Sequence, residues 1–147
     1  MLAPTLASIA LLPGLLTPTL PDVKASRELP VLLPSTFITK DKTKLYAKGV
    51  GDPSQYVVTL TNRKDCTANY CTVAYFSGYK GLKLTGGRAV ALAKGVKGRY
   101  RPRSCGASCT PPSVSWKVND VLYAVQTDTS RKNLVKMVNS AIKQGPR

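Results

Sequence analysis

The residues best equipped for chemistry are four cysteines in two close pairs, Cys66/Cys71 and Cys105/Cys109. Paired thiols can form disulfides, hold a zinc ion as four thiolates, or cycle as a dithiol couple. A zinc site wants cysteine pairs on converging turns, usually with two to four residues between them. Here four and three residues intervene, which permits such a site without being typical of one. A redox couple usually carries Cys-x-x-Cys at a helix N-terminus in a βαβ setting. Neither pair has that spacing. Disulfides are the expected use, and local pairing is favoured because Ala68, Gly106, Ala107 and Ser108 allow tight closure, with the crossed connectivities still open. On the chain-entropy account local closure stabilises by about 2 kcal/mol per bond and crossed closure by about 4.

A second group is cationic. Lys94, Lys97, Arg99, Arg101 and Arg103 crowd into ten residues. On an extended strand the last four share one face, with Tyr100 on the other. Such a row suits phosphate or carboxylate binding. It also suits an exposed edge strand that uses charge to avoid aggregation, and that reading ranks first. Tyr70, Tyr75 and Tyr79 lie near further basic residues, but tyrosines in strands usually pack half-buried, and no nucleic-acid-binding signature accompanies them.

Histidine is absent. This removes the commonest general base, the commonest neutral metal ligand and every nucleophile arrangement built on imidazole. Asp120 belongs to a turn and Asp128 to a helix cap, so no paired acid/base constellation forms. A non-enzyme without cofactor or metal is expected.

Charge points to partners. There are 22 Lys and Arg against 7 acidic residues, a net charge of +15. Such a surplus attracts anionic lipid head groups, acidic wall polymers or nucleic acid, the last being possible but not favoured, or it simply keeps the surface solvated.

These residues need elements to position them. Residues 2–20 form an apolar stretch without charge, and Val23-x-Ala25 offers the small residues a signal peptidase reads. Residues 1–25 are therefore expected to be a cleaved export signal. Pro4, Pro13, Pro18 and Pro21 argue against a membrane-spanning helix. Residues 26–43 read as an extended, proline-bounded arm that covers or edges a sheet, and 44–147 as one domain. Strand-like runs follow at Lys44–Val50, Gln55–Thr61, Thr72–Phe76, Arg88–Ala93 and Val96–Arg103, with Gly78 and the Gly78–Gly81 segment read as turns. The clearest hairpin joins Val114, Trp116 and Val118 to Val121, Tyr123 and Val125 through Asn119-Asp120. Leu134, Met137, Val138, Ala141 and Ile142 have helical spacing, capped by Asp128, Thr129 or Ser130 and stopped by Gly145-Pro146. Arg131 and Lys132 would sit at the unfavourable end of its dipole, a hint that the basic surface has a purpose. The expected fold is α+β: a single antiparallel sheet, a C-terminal amphipathic helix packed on one face, and two disulfide-stapled loops on the same rim.

Several motifs together resemble a group of exported cyanobacterial proteins without assigned function. They are Pro30-Val-Leu-Leu-Pro34, Tyr56-Val-Val-Thr-Leu60, Asp65-Cys66-x-x-Asn69-x-Cys71, Cys105-Gly-Ala-Ser-Cys109, Ser115-Trp-x-Val-Asn119-Asp-x-x-Tyr123 and Asn139-Ser-Ala-Ile-x-x-Gly-Pro146. Residues 90–142 are also similar to a bacterial domain of unknown function from anti-sigma-factor-like and lipoprotein-associated chains. The resemblance implies export and an α+β sheet and carries over no catalytic residue. The expectation is an exported, monomeric, non-catalytic envelope or periplasmic module. It would bind an unidentified protein or anionic envelope component, with polyanion recognition by the Lys97–Arg103 strand as the alternative.

Overall fold

A computed structural model describes residues 13–24, 29–40 and 43–147. Seven strands form one antiparallel sheet: β1 (Tyr46–Asp52), β2 (Gln55–Thr61), β3 (Thr72–Lys80), β4 (Arg88–Ala91), β5 (Lys97–Arg101), β8 (Ser113–Val118) and β9 (Val121–Thr127), in the order β1-β2-β3-β9-β8-β5-β4. The short strands β6 (Ser104–Cys105) and β7 (Cys109–Thr110) pair separately as a two-stranded ribbon. Two meanders thus meet at β3 and β9, so the last strand of the first meander and the chain's last strand are neighbours in the middle of the sheet.

Alternation decides which face is buried. Tyr56, Val58 and Leu60 on β2, Ala74 and Phe76 on β3, Val114 and Trp116 on β8, and Val121, Tyr123 and Val125 on β9 all point into one apolar cluster. This is the period-2 pattern of a sheet covered on one side. The C-terminal helix, α2 (Arg131–Gln144), contributes Leu134, Met137, Val138 and Ile142 to the same cluster. Ser130 caps it, its hydroxyl accepting from the Asn133 N–H at 3.2 Å. Gly145, with φ at 76°, ends it. Arg131 lies 5.2 Å over the Tyr100 ring, which offsets its place at the positive end of the dipole.

Residues 29–40 have no regular secondary structure and run over the same buried face. Leu29, Val31 and Leu33 are in the core. Tyr56 donates from its hydroxyl to the Leu32 carbonyl at 2.9 Å and accepts from the Leu32 N–H at 3.1 Å. Tyr123 donates to the Pro30 carbonyl at 2.8 Å. Of the apolar leader, residues 1–12 and the Ala25 position lie outside the described residues. What is described forms a 3-10 helix, Thr17–Thr19, and a short helix α1, Leu20–Val23, with Leu16 and Val23 fully buried. It packs on the β1 backbone at Gly51, where a Cβ would stand 2.7 Å from the Asp22 carbonyl oxygen.

Two details differ from the sequence reading. Gly78 lies inside β3 and makes no turn, because a Cβ there would stand 2.5 Å from the Tyr56 ring: the glycine makes room for the two buried tyrosines. The turn falls at Gly81. Strand β5 is not an edge, since β4 and β8 flank it; the edges are β1 and β4. Protection of an exposed edge therefore does not account for its cations.

Candidate binding face

The side chains that alternate with the core positions line the opposite face. Helix α2, the 29–40 arm and the segment Leu16–Val23 give their buried side chains to the apolar cluster, and most side chains of the opposite face are half-buried or exposed, with the two cysteine loops standing at one end of it. Its middle is flat. Ser77, Ala124 and Ser115 are cross-strand neighbours there, ending at Arg99. The adjacent row runs Lys48, Thr59, Tyr75, Gln126, Ser113, Arg101 across six strands. At the usual strand separation this row spans about 24 Å.

The predicted cations fall into three groups. Lys97, Arg99 and Arg101 are exposed on β5 and share this open face, with Gly98 and Tyr100 on the other. Neither Lys97 nor Arg99 has a carboxylate partner among the described residues. Arg101 donates from one guanidinium nitrogen to the Thr85 carbonyl at 2.8 Å and lies against the Gly86-Gly87 turn, both of whose glycines have positive φ. Arg103 lies beyond the strand, 3.3 Å from Asp128, which also pairs with Lys40 at 3.8 Å. Lys94 is turned away in the β4–β5 connection, with φ at 56°. The sequence cluster of five thus contributes three residues to one surface.

Both cysteine pairs are local disulfides, Cys66–Cys71 and Cys105–Cys109. No cysteine is free, so neither a thiolate zinc site nor a dithiol centre is formed. The second bond staples the β6–β7 ribbon. The two loops meet at one end of the open face: Asn69 and Tyr70 from the first and Ser108 and Cys109 from the second line a single hollow of about 450 Å³. A neighbouring hollow of about 650 Å³ lies over β1 and β2 and includes Lys48, Lys64 and Asp65. Tyr75 and Thr72 line both. Tyr70 is the most exposed large apolar side chain of the region, with Arg63 5.6 Å over its ring.

Acid/base chemistry finds little here. Asp52 is held below the usual carboxylate range by the backbone N–H of Ser54, with the Gln55 and Ser54 side chains adding to it. It serves the β1–β2 turn. Asp120 pairs with Lys117 at 3.4 Å beside the Asn119-Asp120 turn. Among the described residues no three His, Cys, Asp or Glu side chains are grouped so as to hold a metal ion, and no helix is long and apolar enough to cross a membrane.

No family, curated protein or solved structure matches this chain. The reading of the face therefore rests on its own geometry. Sequence inspection found the β5 cations but missed Lys48, Thr59, Gln126 and Ser113 as their companions. Each was visible as an alternating position within its own strand; what was not visible is that β9 inserts between β3 and β8.

Proposed function

We propose that this protein is an exported, non-catalytic binding module that takes an anionic polymer on the uncovered face of its sheet. One observation carries the reading: Lys97, Arg99 and Arg101 stand in register on an interior strand, on the face that the covering elements leave free, where edge protection cannot account for them. The C-terminal helix packed on the opposite face supports it, since one layer then makes the core and the other is left for a partner. The net charge of +15 adds long-range attraction to the local contacts. The absence of histidine and the use of both carboxylates Asp120 and Asp128 in ion pairs favour binding over catalysis.

Export is the setting that suits two disulfides, which persist in oxidising compartments. Its apolar leader would be read by a signal peptidase before folding, because the folded chain buries Val23. Retention on immobilised heparin and on anionic liposomes tests the binding reading. The protein is expected to elute well above physiological salt, and Lys97→Ser, Arg99→Ser and Arg101→Ser together should bring elution down sharply. Unchanged retention of the triple variant would sink it.

A further inference from the structure

The open face offers more than charge, and the distribution of its groups selects among anionic polymers. Between Lys48 and Arg101 the crossing row holds four uncharged residues, Thr59, Tyr75, Gln126 and Ser113. The hollow on the Arg101 side of Tyr75 is lined by hydroxyls, amides, a disulfide and two tyrosine rings, with no charged residue. Its volume of about 450 Å³ falls within the range of small-ligand sites, about 300–1,000 Å³. Gln126 gives its amide nitrogen to the Pro111 carbonyl at 3.2 Å, which orients its carbonyl oxygen as an acceptor for a ligand.

From this arrangement we infer that the face binds an acidic polysaccharide in which neutral and charged sugars alternate, laid across the strands, with a sugar ring stacked on Tyr75 and a carboxylate or sulfate held by Arg101. Sugar rings present apolar faces that stack on aromatic side chains and rims of hydroxyls that bond to amides and hydroxyls. Both kinds of group are present along the row, and charge is confined to its ends. A nucleic-acid strand fits less well. It carries a phosphate at every nucleotide, and about 24 Å of such a chain would lay several charges over the uncharged stretch. Running a nucleic acid along β5 does not rescue it, because the β3 tyrosines are three strands away, about 14 Å, beyond stacking reach of bases held there. The two disulfides have a role in this picture. Each fixes the shape of its own loop, and those loops supply the Asn69–Tyr70 and Ser108–Cys109 walls of the hollow.

This inference rests on the open-face reading and can fail independently of it. The test is calorimetric titration of the oxidised full chain with a hyaluronan oligosaccharide of about ten sugars, with neutral cellohexaose, and with oligo(dT) of equal charge. The hyaluronan oligosaccharide should bind most tightly, and Tyr75→Ala and Arg101→Ser should each weaken it about tenfold, as anchor residues do. Tyr75→Phe keeps the ring and should bind nearly as the native chain, which separates loss of stacking from loss of fold. Amide shifts in a ¹⁵N spectrum should cluster at Thr59, Tyr75, Gln126 and Ser113. Tighter binding of oligo(dT), equal binding of cellohexaose, shifts confined to other surfaces, or indifference to Tyr75→Ala would each overturn the polysaccharide assignment. If the Lys97, Arg99 and Arg101 triple variant still loses heparin retention, the broader anion-binding reading survives that outcome; if it does not, both fall.

Discussion

Tyr56 and Tyr123 show how single residues hold this molecule together. Each starts on the covered side of the sheet and ends with its hydroxyl on the backbone of the 29–40 arm. Burial disfavours the phenolate, so both acidities shift up: Tyr123 to about 12, and Tyr56 further, against the opposing effect of its bond to Leu32. The consequence for stability has a definite sign. In the unfolded chain a tyrosine loses its proton near pH 10, whereas the folded protein keeps both. Their contribution is therefore complete below about pH 10 and lost as pH climbs from there toward 12. Urea unfolding at pH 8, 10 and 11 should show a falling midpoint. Tyr123→Phe should start lower at pH 8, by about 1 kcal/mol for the hydrogen bond to Pro30, and fall less steeply above pH 10. An equal slope in the variant would mean that other groups govern the alkaline loss.

At the scale of elements, local pattern was readable and neighbourhood was not. Gln55–Thr61 and Ser113–Val118 emerge as strands at the expected residues because apolar alternation and turn chemistry act within a few positions. The Asn119-Asp120 turn has positive φ at both residues, the geometry those side chains tolerate. The five apolar residues picked out by helical spacing in the C-terminal helix are its five buried ones, and Val135 beside them is half-buried. Strand order was hidden, since the β3–β9 pairing joins segments far apart in the chain, and with it the companions of the β5 cations on the open face. Gly49 and Gly51 were also opaque. A pair of inward glycines on an edge strand reads as weakness until the leader segment is seen lying on them, with Thr19 and Val23 at contact distance. That packing leads to a prediction. A chain beginning at Ser26 lacks the two buried side chains Leu16 and Val23, each worth about 1.5–3 kcal/mol when fully buried. It should unfold at a lower temperature than the full chain and bind more of a dye specific for apolar surface. Equal melting temperatures would show that the leader adds nothing to the folded core.

For the whole molecule, charge and contact separate in time. A net charge of +15 acts over distances comparable to the screening length, about 10 Å at 0.1 M salt, and so governs how often a polyanion arrives. The open face governs how long it stays, because affinity differences at one interface reside mainly in dissociation. These contributions can be pulled apart with residues remote from the face. Lys132, Lys136 and Lys143 are exposed on helix α2, whose buried side chains belong to the apolar cluster. Replacing all three by Glu changes the charge by two units each, taking the net from +15 to +9 without touching the β5 cations or Tyr75. Measured by surface plasmon resonance on immobilised hyaluronan at low salt, the variant should associate several-fold more slowly and dissociate at the native rate. Raising the salt should erase the difference in association. Tyr75→Ala should do the reverse, leaving arrival unchanged and hastening departure. A helix variant that dissociates faster would place the binding contacts on the helix side of the molecule, and the open face would lose its claim.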